Sequence, residues 1–207
     1  GLEKLHMDYV SAIAYNNENS LELYRKLRKI GEKIVLFSDR IDINKVIELN
    51  PFFIISYNYK YLIDEDVIKY MKNKIVNLHI SLLPWNRGAN PNLWSFIDNT
   101  PKGVTIHQVS AGLDEGMILL QKEVEFNLKK ETFSTTYNKL NAEIVKLFVD
   151  NWNKIKNAEI VPKNQVGEGS YHKIIDYTKL KNKIDFTWDD NIYEFMQRYN
   201  KLKREGD

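Results

Sequence analysis

The chain has 207 residues, 43% of them apolar, with 30 basic against 28 acidic side chains and no cysteine. That length and apolar share suffice for one sizeable core, while a net charge of +2 gives no strong field to select nucleic acid or an anionic membrane. The missing cysteine excludes disulfides, thiol catalysis and cysteine-based zinc sites. No apolar run approaches the ~20 residues of a membrane span and no signal-like segment opens the chain, so a soluble cytoplasmic protein is expected. Residues 1–6 precede Met7 and read as an expression remnant.

In chain order, Tyr9–Tyr15 reads as a first strand, and Asn16 and Asn17 mark the turn after it. Leu21, Tyr24, Leu27 and Ile30 then recur at helical spacing until Gly31. Lys33–Phe37 is a second strand, Ile43–Leu49 a short helix and Phe52–Ser56 a third strand introduced by Pro51. Asp64–Met71 reads as a helix capped by Asp64. Ile75–Ile80 and Val104–Val109 are apolar, β-branched runs on either side of a Pro- and Gly-punctuated loop and a short apolar segment, Leu93–Ile97. A further strand-like run, Ile118–Phe126, precedes one long helix over Glu131–Ile155. Such alternation predicts a Rossmann-like, mostly parallel α/β sheet with flanking helices and ligands at the strand ends. No repeat or low-complexity run divides the chain.

Asn77 and His79 are two apart, so on a strand they share a face. Asp114 sits in a Gly112-Leu113-Asp114-Glu115-Gly116 turn able to bring a carboxylate over that strand. An amide, an imidazole and a carboxylate are the inventory of a small acyl-transfer site. Taken singly, each is more often structural, and His107 on its apolar strand reads as core. Ser81 reads as bonded to the loop that follows the strand. Within that loop, Arg87 can bind a phosphate and Trp85 can stack on a base or sugar, with Asn86 and Asn90 beside them. The four histidines lack metal-ligand spacing and there is no phosphate-binding P-loop motif, so no metal is expected.

The run Asn77-Leu78-His79-Ile80-Ser81-Leu82-Leu83-Pro84, then Gly88, then Gly103-Val104-Thr105-Ile106-His107, then Asp114-Glu115-Gly116 resembles the formyltransferases that use 10-formyltetrahydrofolate. The resemblance implies a catalytic domain over residues 7–158, with 159–207 as a short C-terminal extension serving dimerisation or substrate binding. It implies Asn77, His79 and Asp114 as catalytic residues. It also implies that Lys60-Tyr61-Leu62-Ile63 and the loop containing Val109, Gly112 and Leu113 hold the folate, with Ser81, Trp85, Asn86, Arg87 and Asn90 on the acceptor.

Three acceptors compete within the family. A methionyl-tRNA acceptor is disfavoured by the near-zero net charge and the roughly 80 residues after Phe126. A phosphoribosylglycinamide acceptor calls for a Gly-rich turn after the first strand, where this chain has Ala14-Tyr15-Asn16-Asn17-Glu18-Asn19-Ser20. Residues 84–92 and Gly169-Ser170-Tyr171-His172-Lys173 with Asp176 look most like the sugar-nucleotide N-formyltransferases. Those act on amino sugars bound for surface polysaccharide, and several dimerise through C-terminal elements. The aromatic tail (Phe186, Trp188, Tyr193, Phe195, Tyr199) can serve a homodimer or pack on its own domain. A catalytically inactive folate or nucleotide binder is the reading outside enzymology.

Overall fold

The computed structural model describes residues 9–206, so residues 1–6, read as a remnant, lie outside the described part. The short β-branched runs form strands: β1 (Ser11–Ala14), β2 (Ile34–Phe37), β3 (Ile54–Tyr57), β4 (Ile75–His79), β5 (Arg87–Gly88), β6 (Gly103–Gln108), β7 (Ile118–Glu123) and β8 (Tyr171–His172). Helices follow the 3.6-residue spacing: α1 (Leu21–Lys29), α2 (Ile43–Leu49), α3 (Glu65–Met71), α4 (Pro91–Ile97), α5 (Phe133–Asp150), α6 (Trp152–Lys156), α7 (Ile174–Lys183) and α8 (Ile192–Gly206).

Six strands form one sheet in the order β2-β1-β3-β4-β6-β7, and β5 pairs with β8 separately. β1 is parallel to β2 and β3, and β3 is parallel to β4, which is the expected mostly parallel sheet. β6 runs antiparallel to β4, and its register sets Asn77 opposite His107 and His79 opposite Thr105. Directly opposed residues point to the same face. The pairing therefore places His107 beside Asn77.

The chain divides into two compact units, each drawn from separated stretches. One holds the residues up to His79, Thr105–Leu120 and Ile144–Gln165. Its core includes Ala12, Ala14, Ile54, Val67 and Ile75, with Ile63 and Val109 packed against them. The other holds Ile80–Val104, Gln121–Glu143 and Val166–Asp207. Its core is aromatic: Phe96, Phe133, Phe186 and Phe195 are buried with Leu93, Leu180 and Ile192. Phe186 and Phe195 of the tail thus serve their own unit's core.

Two local expectations change. The helix expected over 131–155 stops at Asp150 and restarts at Trp152. At the break, Asn151 Nδ2 donates to Leu147 O at 2.8 Å, a side chain competing for helical backbone acceptors. Asp64 holds the extended N-cap conformation of α3 without a side-chain cap bond, because its carboxylate accepts from Arg40 at 2.8 Å.

Candidate active site

Four polar side chains converge in the first unit. Asn77 and His79 stand on β4, His107 on β6, and Asp114 in the loop before β7. His107 Nδ1 lies 2.9 Å from Gln108 O. A carbonyl only accepts, so Nδ1 has the proton and the Nε2 of a neutral ring is an acceptor. Asn77 Nδ2 lies 3.1 Å from that Nε2 and 3.3 Å from Asp114 Oδ1. Its two amide hydrogens match these two acceptors, which fixes the amide orientation. His79 Nδ1 and His107 Nε2 lie 3.6 and 3.4 Å from the same carboxylate oxygen. All but half-buried Asn77 are below 9% exposed.

Low exposure strengthens each of these interactions, because little water competes. Chemically, the group offers an imidazole on which a proton can rest, a carboxylate to balance the imidazolium, and an amide donor. The Asn77–Asp114 bond is the longer of the amide's two and the more readily exchanged for an oxyanion. His107, read from sequence as core, is buried and also orients Asn77. The available signal was its alternation with Thr105, but the antiparallel register was needed to interpret it.

Asp114 has φ +54°, a left-handed backbone that Asp tolerates better than most residues. Gln165 holds this loop: its Nε2 donates to Asp114 O at 2.8 Å and to Gly116 O at 2.9 Å. Gln165 is brought there by the short antiparallel bridge between Ile118 and Lys163. Nothing in the sequence marks it. Gln165→Ala should lower kcat about tenfold through a loosened Asp114, since each lost bond is worth ~1 kcal/mol. A Gln165→Glu variant, acceptor-only when ionised, should not restore the rate; stopped-flow kinetics of both variants check this.

The expected folate segments belong to the same unit. Leu62 is 64% and Leu113 43% exposed. Ile63 and Val109 lean on one core cluster. Tyr61 is half-buried and lies edge-on to Tyr59 at 5.4 Å, and the Gly112 position has only the flexible Glu115 carboxylate near its Cβ direction. The Lys60 N–H is already given to Asn16 Oδ1 at 2.8 Å.

The remaining candidates lie in the second unit. Ser81 Oγ donates to Trp85 O at 2.7 Å, which ties the loop after β4, and the Leu83–Pro84 bond is cis. Asn86 is buried, with Nδ2 on Thr100 Oγ1 at 2.7 Å and its N–H on Ser170 Oγ at 2.8 Å. Arg87 reaches Glu168 O at 3.2 Å, and Trp85 is 37% exposed. Gly88, at φ +88°, has the His172 carbonyl 2.3 Å from where a Cβ would stand, so only glycine fits. His172 stacks on Trp94 at 3.9 Å and meets Asp98 Oδ2 at 2.7 Å. Asn90 lines a cavity of about 430 Å³ together with Pro91, Leu93 and Phe133.

Sheet and cluster together define an α/β protein with an amide, two imidazoles and a carboxylate gathered on one strand face. The family profile described as Formyl transferase matches residues 16–151, and the chain belongs to that family. Methionyl-tRNA formyltransferase of Thermodesulfovibrio yellowstonii is 37% identical over 130 residues, 62% of this chain and 42% of that protein. The corresponding enzyme of Clostridium beijerinckii is 33% identical over 166 residues, 80% of this chain and 52% of that one. The chain thus spans about half the length of the curated relatives it matches. Among solved structures, the formyltransferase PseJ of Anoxybacillus kamchatkensis is 38% identical with a TM-score of 0.81, covering 89% of this chain and 96% of its own. That protein was solved with UDP-4,6-dideoxy-4-formamido-L-AltNAc and tetrahydrofolate. A 4-N formyltransferase from Francisella tularensis is 25% identical with a TM-score of 0.74, covering 89% of this chain and 83% of its own. Among the described residues there is no group of three or more side chains able to hold a metal, and no helix long and apolar enough to cross a membrane.

Proposed function

We propose that this protein moves a formyl group from 10-formyltetrahydrofolate to the amine of a nucleotide-linked amino sugar, a building block of surface polysaccharide made in the cytoplasm. The observation behind this reading is the convergence of Asn77, His79 and Asp114 within 3.3–3.6 Å. The folate supplies the activated formyl carbon. The amine lone pair attacks the formyl carbon; His79 takes the proton that the nitrogen then sheds and returns it to the folate nitrogen as its bond to the formyl carbon breaks. Asp114 balances the imidazolium, and Asn77 turns an N–H to the charge growing on the formyl oxygen. Tyr61, Leu62, Ile63, Val109, Gly112 and Leu113 line the folate's ring, with Lys60 anchoring the segment. Trp85, Arg87 and Asn90 face the acceptor, while Ser81 and Asn86 shape the loop that presents them.

Likeness to PseJ over nearly the whole of that chain supports the sugar nucleotide as acceptor. Against phosphoribosylglycinamide, the turn after β1 spends its donors internally. The Asn19 N–H goes to Asn17 Oδ1 and the Ser20 N–H to Asn17 O, both at 3.0 Å. A methionyl-tRNA acceptor is the second reading, favoured by the curated relatives. A thermal-shift panel separates them: 5-formyltetrahydrofolate, then UDP, dTDP, GDP and a phosphoribosyl ligand. A ligand at 100 times its Kd stabilises the native state by about 2.7 kcal/mol. Shifts with folate and one nucleoside diphosphate are expected. A folate shift with no nucleotide response would favour the second reading, and silence from all ligands would favour an inactive binder.

A further inference from the structure

The loops that leave β1, β2 and β3 meet at the carboxyl ends of these parallel strands, all within the first unit. β2 lies on one side of β1 and β3 on the other, so the strand order reverses across β1. Open α/β sheets bind ligands in the crevice that such a reversal creates. Asn16, in the loop after β1, spans all three loops. Its Nδ2 donates to Ser38 O at 2.8 Å, and its Oδ1 accepts from the Lys60 N–H at 2.8 Å. Its own N–H donates to Asn58 O, also at 2.8 Å. The Ser38 carbonyl only accepts and the Lys60 N–H only donates, so these partners fix the amide orientation. Asn16 is exposed and adds nothing to the core; both ends of its amide hold backbone.

We propose that Asn16 is a positioning residue for the folate, fixing the backbone of residues 60–63 where that segment receives the ring. The inference rests on residues 60–63 holding the folate. A short segment that meets a ring through its backbone cannot correct a displacement by turning a side chain, so its place is set from outside. Asn16 sets it at Lys60. Tyr59 adds a second tie, its hydroxyl accepting from the Ile41 N–H at 2.9 Å and donating to Asp39 O in the loop after β2. Burial pushes the Tyr59 pKa up, so the hydroxyl keeps the proton it donates. Beyond Ile63, Asp64 accepts from Arg40 of that same loop at 2.8 Å. The segment is thus held at both ends, and the loop after β1 has this clamp in place of a phosphate-binding turn.

The test measures the Kd of 5-formyltetrahydrofolate by calorimetry and stability by denaturant unfolding. Asn16→Ala loses both side-chain bonds and should weaken folate binding about tenfold. Asn16→Asp restores the acceptor for the Lys60 N–H and sets its second oxygen against the Ser38 carbonyl. It should regain most of the folate affinity without regaining stability. Tyr59→Phe removes the hydroxyl and keeps the ring on the unit's core. It should also weaken folate binding, which covers the case in which Asn16→Ala fails to fold. Glu32→Gln is the control: it breaks a 2.7 Å ion pair with Lys156 and sits before β2, at the opposite strand end. That variant should lose stability and keep its folate affinity. Unchanged folate affinity in folded Asn16→Ala or in Tyr59→Phe would overturn the clamp and leave the formyl-transfer reading standing. An equal loss in Glu32→Gln, or an Asn16→Asp variant as weak as Asn16→Ala, would do the same. A wild type that binds no folate would overturn both.

Discussion

Asp114→Asn is expected to keep the fold and lower kcat by about 10²–10⁴-fold, the range of a lost general acid–base component. The substitution is nearly isosteric, and asparagine tolerates the φ of +54° that Asp114 adopts. What it removes is charge. The carboxylate is 6% exposed and lies 3.6 Å from His79 and 3.4 Å from His107. A neutral amide cannot balance an imidazolium there, and its N–H₂ can face the Asn77 amide nitrogen. Asp114→Ala would add a backbone cost, since a left-handed alanine is disfavoured, so it mixes stability with chemistry. Single-turnover formylation, alongside folate affinity for both variants, separates the two: kcat should fall in each, and folate binding should hold in Asp114→Asn.

Gly116→Ala should cost nearly as much by a different route. A Cβ at this position would stand 1.6 Å from Gln108 O and 3.2 Å from His107 Nδ1. Gln108 O is backbone and also accepts the His107 Nδ1–H, so it cannot yield without disturbing the ring that orients Asn77. The loop must shift, and Asp114 shifts with it. A displacement near 1 Å costs about 10²-fold in rate, and overpacking costs about 1–3 kcal/mol of stability. Denaturant unfolding and kcat should fall together in this variant, whereas Asp114→Asn should lower kcat alone.

Much of the first unit was legible because its signals are local. Ile34–Phe37, half-buried, and Ile54–Tyr57, buried, announce themselves as short apolar strands, and the two-residue spacing of Asn77 and His79 assigns them one face. His107 was harder. Its alternation with Thr105 was visible, but its place beside Asn77 depends on β6 entering antiparallel in one register, which no local pattern specifies. Gln165 is 51 residues from Asp114 and reaches it through a single strand bridge. Asp64 and Asn151 show the same limit: tertiary partners or competing backbone bonds redirected side chains whose local roles read plainly.

Formyl transfer to a nucleotide-linked amine is the central claim, and mass spectrometry of one reaction tests it most directly. The protein is incubated with 10-formyltetrahydrofolate and a UDP-linked 4-amino-4,6-dideoxy sugar, beside a parallel reaction with methionyl-tRNA. The expected result is a sugar nucleotide heavier by one carbonyl, formed in step with tetrahydrofolate and lost in Asp114→Asn. Formylated methionyl-tRNA with an untouched sugar nucleotide would contradict the assignment of the acceptor. Equal product from wild type and Asp114→Asn would contradict the assignment of the site.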